Sequence, residues 1–201
     1  MNYEKNLKQN TSLRTVCLPT YSFITVISIW LCFHYKTHIL LEQSFWEFYI
    51  IGTVPMISQI TIGLIIVVIT IIISIVGSSK LKWIRNAEQE IKKSIGNLTS
   101  FDIIIIAICS GIGEELLFRA AFQPTYGLVI TSLFFGMLHF PVNKHFLFYP
   151  IFATIMGFIL GYITLINNGC ITSAIIAHIF INMINLYRIN SISKNELIEK
   201  M

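Results

Sequence analysis

Charge is what this chain has least of. Of its 201 residues, 12 % are Asp, Glu, Lys or Arg, about half the roughly 25 % of a soluble domain. With 55 % hydrophobic residues gathered into long apolar runs, that shortage excludes an ordinary water-soluble core and implies an integral membrane protein. The 14 basic residues outnumber the 10 acidic ones, for a formal charge of +4. In a membrane protein such a surplus sits in loops and sets orientation; it is no nucleic-acid footprint. Cysteine is also sparse. Cys17, Cys32, Cys109 and Cys170 form no CxxC pair, and each lies in or beside an apolar segment. They read as small buried hydrophobes, which excludes a disulfide framework and leaves thiol catalysis without a partner at recognisable spacing. No HExxH is present, so a conventional zinc-protease helix is not supported. The basic start (Lys5, Lys8, Arg14) resembles that of a signal peptide. No small-x-small cleavage site follows, however, and the first apolar segment continues into Trp30-Leu31-Cys32-Phe33-His34, so it reads as a retained transmembrane helix. Internal repeats are absent too.

What is there is an all-α pattern: a polytopic membrane helix bundle of about six spans with a polar intramembrane site. A spanning helix needs about 20 mostly apolar residues. That rule places spans near 16–33, 56–76, 101–121, 128–140, 146–166 and 170–187. Residues 46–54 read as an interfacial or tilted extension, with Trp46 and Tyr49 at headgroup level. Between the second and third spans, 78–100 carries Lys80, Lys82, Arg85, Lys92 and Lys93 against Glu88 and Glu90, with Trp83, Ile84, Ala87, Ile91 and Ile95 at helical spacing. It reads as a basic amphipathic helix on an anionic leaflet, or as a solvated connector. Gly157-x-x-x-Gly161 permits close helix packing, and Asn167-Asn168-Gly169 makes a turn. Lys and Arg concentrate in the N-terminus, in 78–100 and in the tail, which puts both termini in the cytoplasm. The expected organisation is an N-terminal membrane region (1–100), a core (101–188) and a cytoplasmic tail (189–201). Abundant Ile, Asn and Lys suggest an AT-rich, bacterial coding sequence, hence a bacterial plasma membrane.

The chain is organised around Gly113-Glu114-Glu115-Leu116-Leu117-Phe118-Arg119, late in an otherwise apolar span. A charge near the bilayer centre costs about 2.5–3.5 kcal/mol on insertion scales, so a cluster of three marks a functional site by default. Glu115 and Arg119 are i and i+4 and face one another. Glu114 is turned about 100° away, towards a cavity, free to act as a general base. Two further clusters follow at helical spacing: Phe135-x-x-x-His139 and His178-x-x-x-Asn182. Taken singly, each has a plainer structural reading: an interhelical histidine, an interhelical amide, an ion pair within one helix. Together they offer two imidazoles, a carboxylate and an amide that can donate to an oxyanion. His34, His38 and His145 lie in loops or near span ends and read as solvated. One geometric tension follows. Glu114 would lie about 20 Å up its span from the cytoplasmic end, while His139 lies near the cytoplasmic end of the next. They meet only if the third span starts deep or tilts.

These three motifs, in this order on successive membrane helices, resemble those of the CPBP family: the CAAX proteases and bacteriocin-processing enzymes, also called the Abi or type II CAAX prenyl endopeptidase family. The resemblance covers about 102–187. It implies an intramembrane endopeptidase, commonly labelled a metalloprotease, whose partners are the bilayer and a membrane-associated peptide or protein, with no nucleic acid. By position, Glu114 with His139 would activate the attacking water, His178 and Asn182 would stabilise the oxyanion, and Glu115 with Arg119 would support them. Zinc is the cofactor the resemblance suggests, with His139 and His178 as ligands beside Glu114; direct polarisation of water without a metal explains the same residues. The substrates implied are bacteriocin-type or pheromone-type precursors or CAAX-like proteins. A bacteriocin self-immunity protein and a proton-coupled transporter are the alternative readings.

Overall fold

The computed structural model describes residues 2–35, 45, 47–139 and 148–192. The elements in chain order are α1 (Asn2–Tyr35), a π-helical turn (Glu47–Ile51), α2 (Met56–Lys80), α3 (Lys82–Ile95), α4 (Ser100–Glu115), a π-helical segment (Leu116–Phe122), α5 (Gln123–Leu138), α6 (Phe148–Ile166) and α7 (Thr172–Asn190). Among the described residues there is no strand. In lipid, backbone N–H and C=O groups must be satisfied within the segment, which leaves helices as the open-ended solution. The loop 36–44, Trp46, the connection 140–147 with His145, and the tail from 193 lie outside the described residues.

Four helices are long and apolar enough to cross a membrane: Val16–His34, Met56–Lys80, Tyr149–Ile166 and Thr172–Asn190. They match four of the six expected spans. The other two differ, and these are the ones that carry Glu114 and His139. α4 has 16 residues and is prolonged by the π-helical segment; α5 is broken at Gly127, whose φ of 77° no helix allows. The break removes the depth tension. Glu114 and His139 lie 13 and 12 residues from Gly127, about 18–20 Å of helix each, so the chain leaves the break and returns to the same level. The short fourth span expected at 128–140 agrees with this, since beyond Gly127 α5 runs only to Leu138.

The molecule is packed inside out relative to a soluble protein. Phe23, Val26 and Trp30 of α1, Ile57, Val68 and Ile73 of α2, Ile130 of α5 and Tyr162 of α6 are all exposed. An apolar exterior of this extent belongs against lipid. The interior mixes apolar and polar groups. Val67, Met156, Leu160, Ile163, Ala174, Ala177 and Ile181 join α2, α6 and α7. Cys32, Tyr49, Leu116, Ala120, Ala121 and Ile171 join α1, the π-helical turn and the π-helical segment. Tyr49 packs inward: it is 1 % exposed, and its hydroxyl donates to the Ala120 carbonyl at 3.3 Å. No disulfide joins the four cysteines; Cys32 and Cys170 are buried and Cys17 and Cys109 half-buried. Gly157 and Gly161 lie against Ser132 and Gln123, so the small-residue spacing seats α6 on α5 and the chain that enters it. The turn expected at Asn168-Gly169 is present, with φ of 54° and 92°.

α3 is only partly the surface helix its pattern implied. Lys82 and Trp83 are exposed, but Lys92 is buried. Its ammonium donates to Asn97 Oδ1 at 2.8 Å and to the Asn190 carbonyl and side-chain oxygens at 2.8 and 2.9 Å. A cation at a helix C-terminus meets the negative end of the helix dipole, so Lys92 fastens α3 to the end of α7. Burial pushes the Lys92 ammonium below the usual lysine range.

Candidate active site

α4 begins at a capping box, in which the Thr99 N–H donates to Asp102 Oδ2 at 2.8 Å and the Asp102 N–H to Thr99 Oγ1 at 3.2 Å. The two carboxylates come at its far end. The antiparallel partner is α7, and two polar rungs tie the pair. His178 Nδ1 lies 2.7 Å from Glu115 Oε1. One turn away on each helix, Asn182 Nδ2 donates to Ser110 Oγ at 2.9 Å. Gly111 makes this closeness possible: a Cβ there would meet Ile179 Cγ1 at 2.5 Å and the Ile179 backbone nitrogen at 3.0 Å.

Adjacent in sequence, Glu114 and Glu115 have different surroundings. Glu115 is completely buried and holds two partners, His178 through Oε1 and Arg119 Nε at 3.3 Å through Oε2. The guanidinium is 1 % exposed and stands 4.9 Å from the Phe135 ring centroid. Among the described residues its nitrogens make no hydrogen bond. Its charge is met by the Glu115 ion pair and by the face of an aromatic ring. Phe135 also lies 4.5 Å, centroid to centroid, from His139 and 6.2 Å from His178. The phenylalanine that shares a helix face with His139 is thus the floor under both imidazoles and the cover over Arg119.

Glu114 faces the other way. Its Oε1 accepts a hydrogen bond from the Tyr21 hydroxyl of α1 at 2.8 Å. Its Oε2 lies 3.7 Å from His139 Nε2 and 3.8 Å from His178 Nε2 and has no hydrogen-bond partner among the described residues. Both histidine tautomers follow from their other nitrogens. His139 Nδ1 must donate to the Phe135 carbonyl at 2.7 Å, because a carbonyl only accepts. His178 Nδ1 faces the Glu115 carboxylate and donates likewise. In the neutral imidazoles, both Nε2 lone pairs then point at a carboxylate oxygen. Three acceptors aimed at one point require a donor between them: a water, an added proton, or a cation. Glu114, Glu115 and Arg119 sum to one negative charge, which favours the same species.

Five of the six residues expected at the site therefore converge: Glu114, Glu115, Arg119, His139 and His178. Asn182 lies one turn along α7, with its amide turned to Ser110. Two glutamates bearing distinct roles were expected; the finding that differs is that Glu115 orients His178 as well as pairing with Arg119. Tyr21 was not foreseen. It lies 93 residues from its partner in an apolar helix, and no local spacing marks it.

The donor set, two imidazoles and a carboxylate, is of a kind zinc accepts. Its spacing is wide. Ligands 2.0–2.2 Å from a tetrahedral zinc lie about 3.3–3.5 Å from one another, short of the 3.7 and 3.8 Å seen between Glu114 and the histidines. Among the described residues, no three His, Cys, Asp or Glu side chains are gathered closely enough to hold a metal ion.

Comparison with known protein families matches residues 96–184 to the family described as Type II CAAX prenyl endopeptidase Rce1-like. Comparison with curated proteins and with solved structures finds no match. The matched segment contains Glu114, Glu115, Arg119, His139, His178 and Asn182; α1, α2 and α3 precede it.

Proposed function

Residues 96–184 belong to the type II CAAX prenyl endopeptidase Rce1-like family, and from that premise we propose that this chain hydrolyses a peptide bond in a membrane-associated peptide or protein, with water activated between Glu114 and His139. The observation that carries the reading is the bare, buried Oε2 of Glu114, 3.7 and 3.8 Å from two imidazole nitrogens. A water donating one hydrogen to Glu114 Oε2 and the other to His139 Nε2 satisfies two of the three acceptors. Glu114 takes a proton as the water oxygen attacks the scissile carbonyl. The carbonyl becomes a tetrahedral oxyanion, and the same proton, passed from the Glu114 carboxyl to the amide nitrogen, releases the amine as the C–N bond breaks. The numbers of protons and electrons are unchanged, and no oxidant enters.

His178 and Asn182 serve the oxyanion in this reading. Carboxylate contact at Nδ1 stabilises an imidazolium, as in a triad where an acid orients the histidine; an imidazolium at His178 then offers Nε2–H as a donor. Asn182 has two amide hydrogens and gives one to Ser110. Substrates of the kind this site serves are precursor peptides with hydrophobic or lipid-bearing segments, of the bacteriocin, pheromone or CAAX type, held at a bacterial plasma membrane. No step needs a metal.

The test is cleavage of a panel of such peptides by the purified full-length protein. Glu114→Gln and His139→Ala each lower kcat by about 10²–10⁴-fold, the range of a positioned acid–base group. Chelators leave the wild-type rate intact. Full cleavage by both variants would sink the assignment, and a chelator-induced loss reversed by zinc would replace the metal-free water with a metal-bound one.

A further inference from the structure

The segment that matches the family does not contain every group that touches Glu114. The Tyr21 hydroxyl of α1 donates to Glu114 Oε1 at 2.8 Å. α1 comes this close because residue 113 is glycine: a Cβ there would meet Tyr21 Cδ1 at 3.2 Å, Thr25 Oγ1 at 3.4 Å and the Tyr21 carbonyl oxygen at 3.5 Å. The residue before the glutamate thus admits the helix that holds it.

A glutamate side chain has three rotatable bonds, and its two oxygens are equivalent until something distinguishes them. Here one difference is made by Tyr21 and the other by the imidazoles. With Oε1 fixed, the carboxylate plane is set and Oε2 is presented to His139 and His178. No other hydrogen bond to Glu114 is seen among the described residues: Oε2 has none, and the two histidine nitrogens stand beyond hydrogen-bond distance. We propose that Tyr21 is a positioning residue of the active site: its hydroxyl fixes Glu114 Oε1 so that Oε2 faces the two histidines, making α1 part of the catalytic unit. The proposal rests on the reading of Glu114 as the base only for its kinetic consequence; the hydrogen bond itself can be tested without a substrate.

Two arms on the full chain in lipid nanodiscs test it. The first is isotope-edited infrared spectroscopy with carboxyl-labelled glutamate, where the wild-type-minus-Glu114→Gln difference isolates the Glu114 carboxylate bands. Tyr21→Phe, which keeps the ring against Gly113, shifts those bands; a silent substitution at the lipid face, Phe23→Leu, does not. Bands unmoved by Tyr21→Phe overturn the proposal. The second arm is cleavage of a fluorogenic peptide ending in a farnesylated CAAX sequence. Tyr21→Phe lowers kcat about tenfold with KM within twofold, and Gly113→Ala, whose methyl would press on the Tyr21 ring at 3.2 Å, gives a smaller change in the same direction. Wild-type kcat in Tyr21→Phe overturns the proposal even if the bands move. If the wild type and Glu114→Gln are equally inactive on the peptide, the endopeptidase reading has failed for that probe, and the infrared arm alone decides whether Tyr21 holds Glu114.

Discussion

At the scale of the residue, neighbouring carboxylates one position apart do unlike work because a helix turns about 100° per residue. Glu115 points inward, where Arg119 and His178 complete it; Glu114 points to the space between the histidines. Removing each should therefore fail differently. Glu115→Gln takes the negative charge from a buried guanidinium whose other company is ring faces and leaves one amide oxygen where two carboxylate oxygens served His178 and Arg119. Breaking one partner of a buried pair costs about 3–5 kcal/mol, so this variant should unfold far more readily in a mixed-micelle denaturation titration. Arg119→Gln should lose a comparable amount, and the double variant much less than the sum, since each single change strands the other's charge. Glu114→Gln keeps its acceptor for Tyr21 and should shift stability by about 1 kcal/mol or less while lowering kcat by about 10²–10⁴-fold. Equal destabilisation by the two glutamine variants would contradict this division of labour.

At the scale of the element, the seam between α4 and α7 sets the site. Two rungs, Glu115 with His178 and Ser110 with Asn182, are spaced one turn apart, and Gly111 lies between them facing the α7 backbone at Ile179. Gly111→Ala should cost about 1–3 kcal/mol, as overpacking does when backbone is what blocks the new methyl. It should also reduce turnover, because separating the helices parts His178 from Glu115 before any catalytic side chain is changed. A variant with normal activity and melting temperature would show that the seam tolerates the extra methyl group. Much of this element-level order was readable in the sequence. The i,i+4 spacings found the Glu115–Arg119 pair, the Phe135–His139 face and the His178–Asn182 face, and the gap between the spans 101–121 and 128–140 and the Asn168-Gly169 turn marked real breaks. What escaped reading was which faces meet. Tyr49 has the amphipathic look of an interfacial residue yet packs inward, Lys92 looks like a surface charge yet closes the end of α7, and Tyr21 sits in an apolar run with nothing near it in sequence. Periodicity assigns a side chain to a helix face; the neighbour that face receives is a tertiary fact.

At the scale of the whole molecule, the loop charges acquire a geometry. Lys92 bonds Asn190 at the end of α7, and Arg188 reaches Glu88 at 3.3 Å and Ser74 at 2.8 Å. The end of α2, all of α3, the start of α4 and the end of α7 therefore gather at one end of the bundle, which carries Lys80, Lys82, Arg85, Lys92, Lys93 and Arg188. The opposite end holds the Tyr126-Gly127 break and the Asn168-Gly169 turn, the latter tied to the approach to α2 by Asn168 Nδ2 donating to Thr53 Oγ1 at 2.9 Å. Neither of these two connections contains Lys or Arg. An asymmetry of this kind orients a membrane protein with the basic end inside, so we expect α3 in the cytoplasm and residue 168 outside. The orientation has a functional consequence. α5 runs from the neutral end towards the basic end and stops beside His139, whose side chain is 20 % exposed where Glu114 is 12 %; with the basic end inside, we expect a substrate to reach the site from the cytoplasm. Single cysteines introduced by Lys82→Cys and Asn168→Cys, in a background with the four native cysteines replaced by serine or alanine, decide it. A membrane-impermeant maleimide should label Asn168→Cys in intact cells and Lys82→Cys only after permeabilisation. The reverse pattern would turn the bundle over and place the mouth of the site, with its two histidines, on the outer face, where only secreted peptides could enter it.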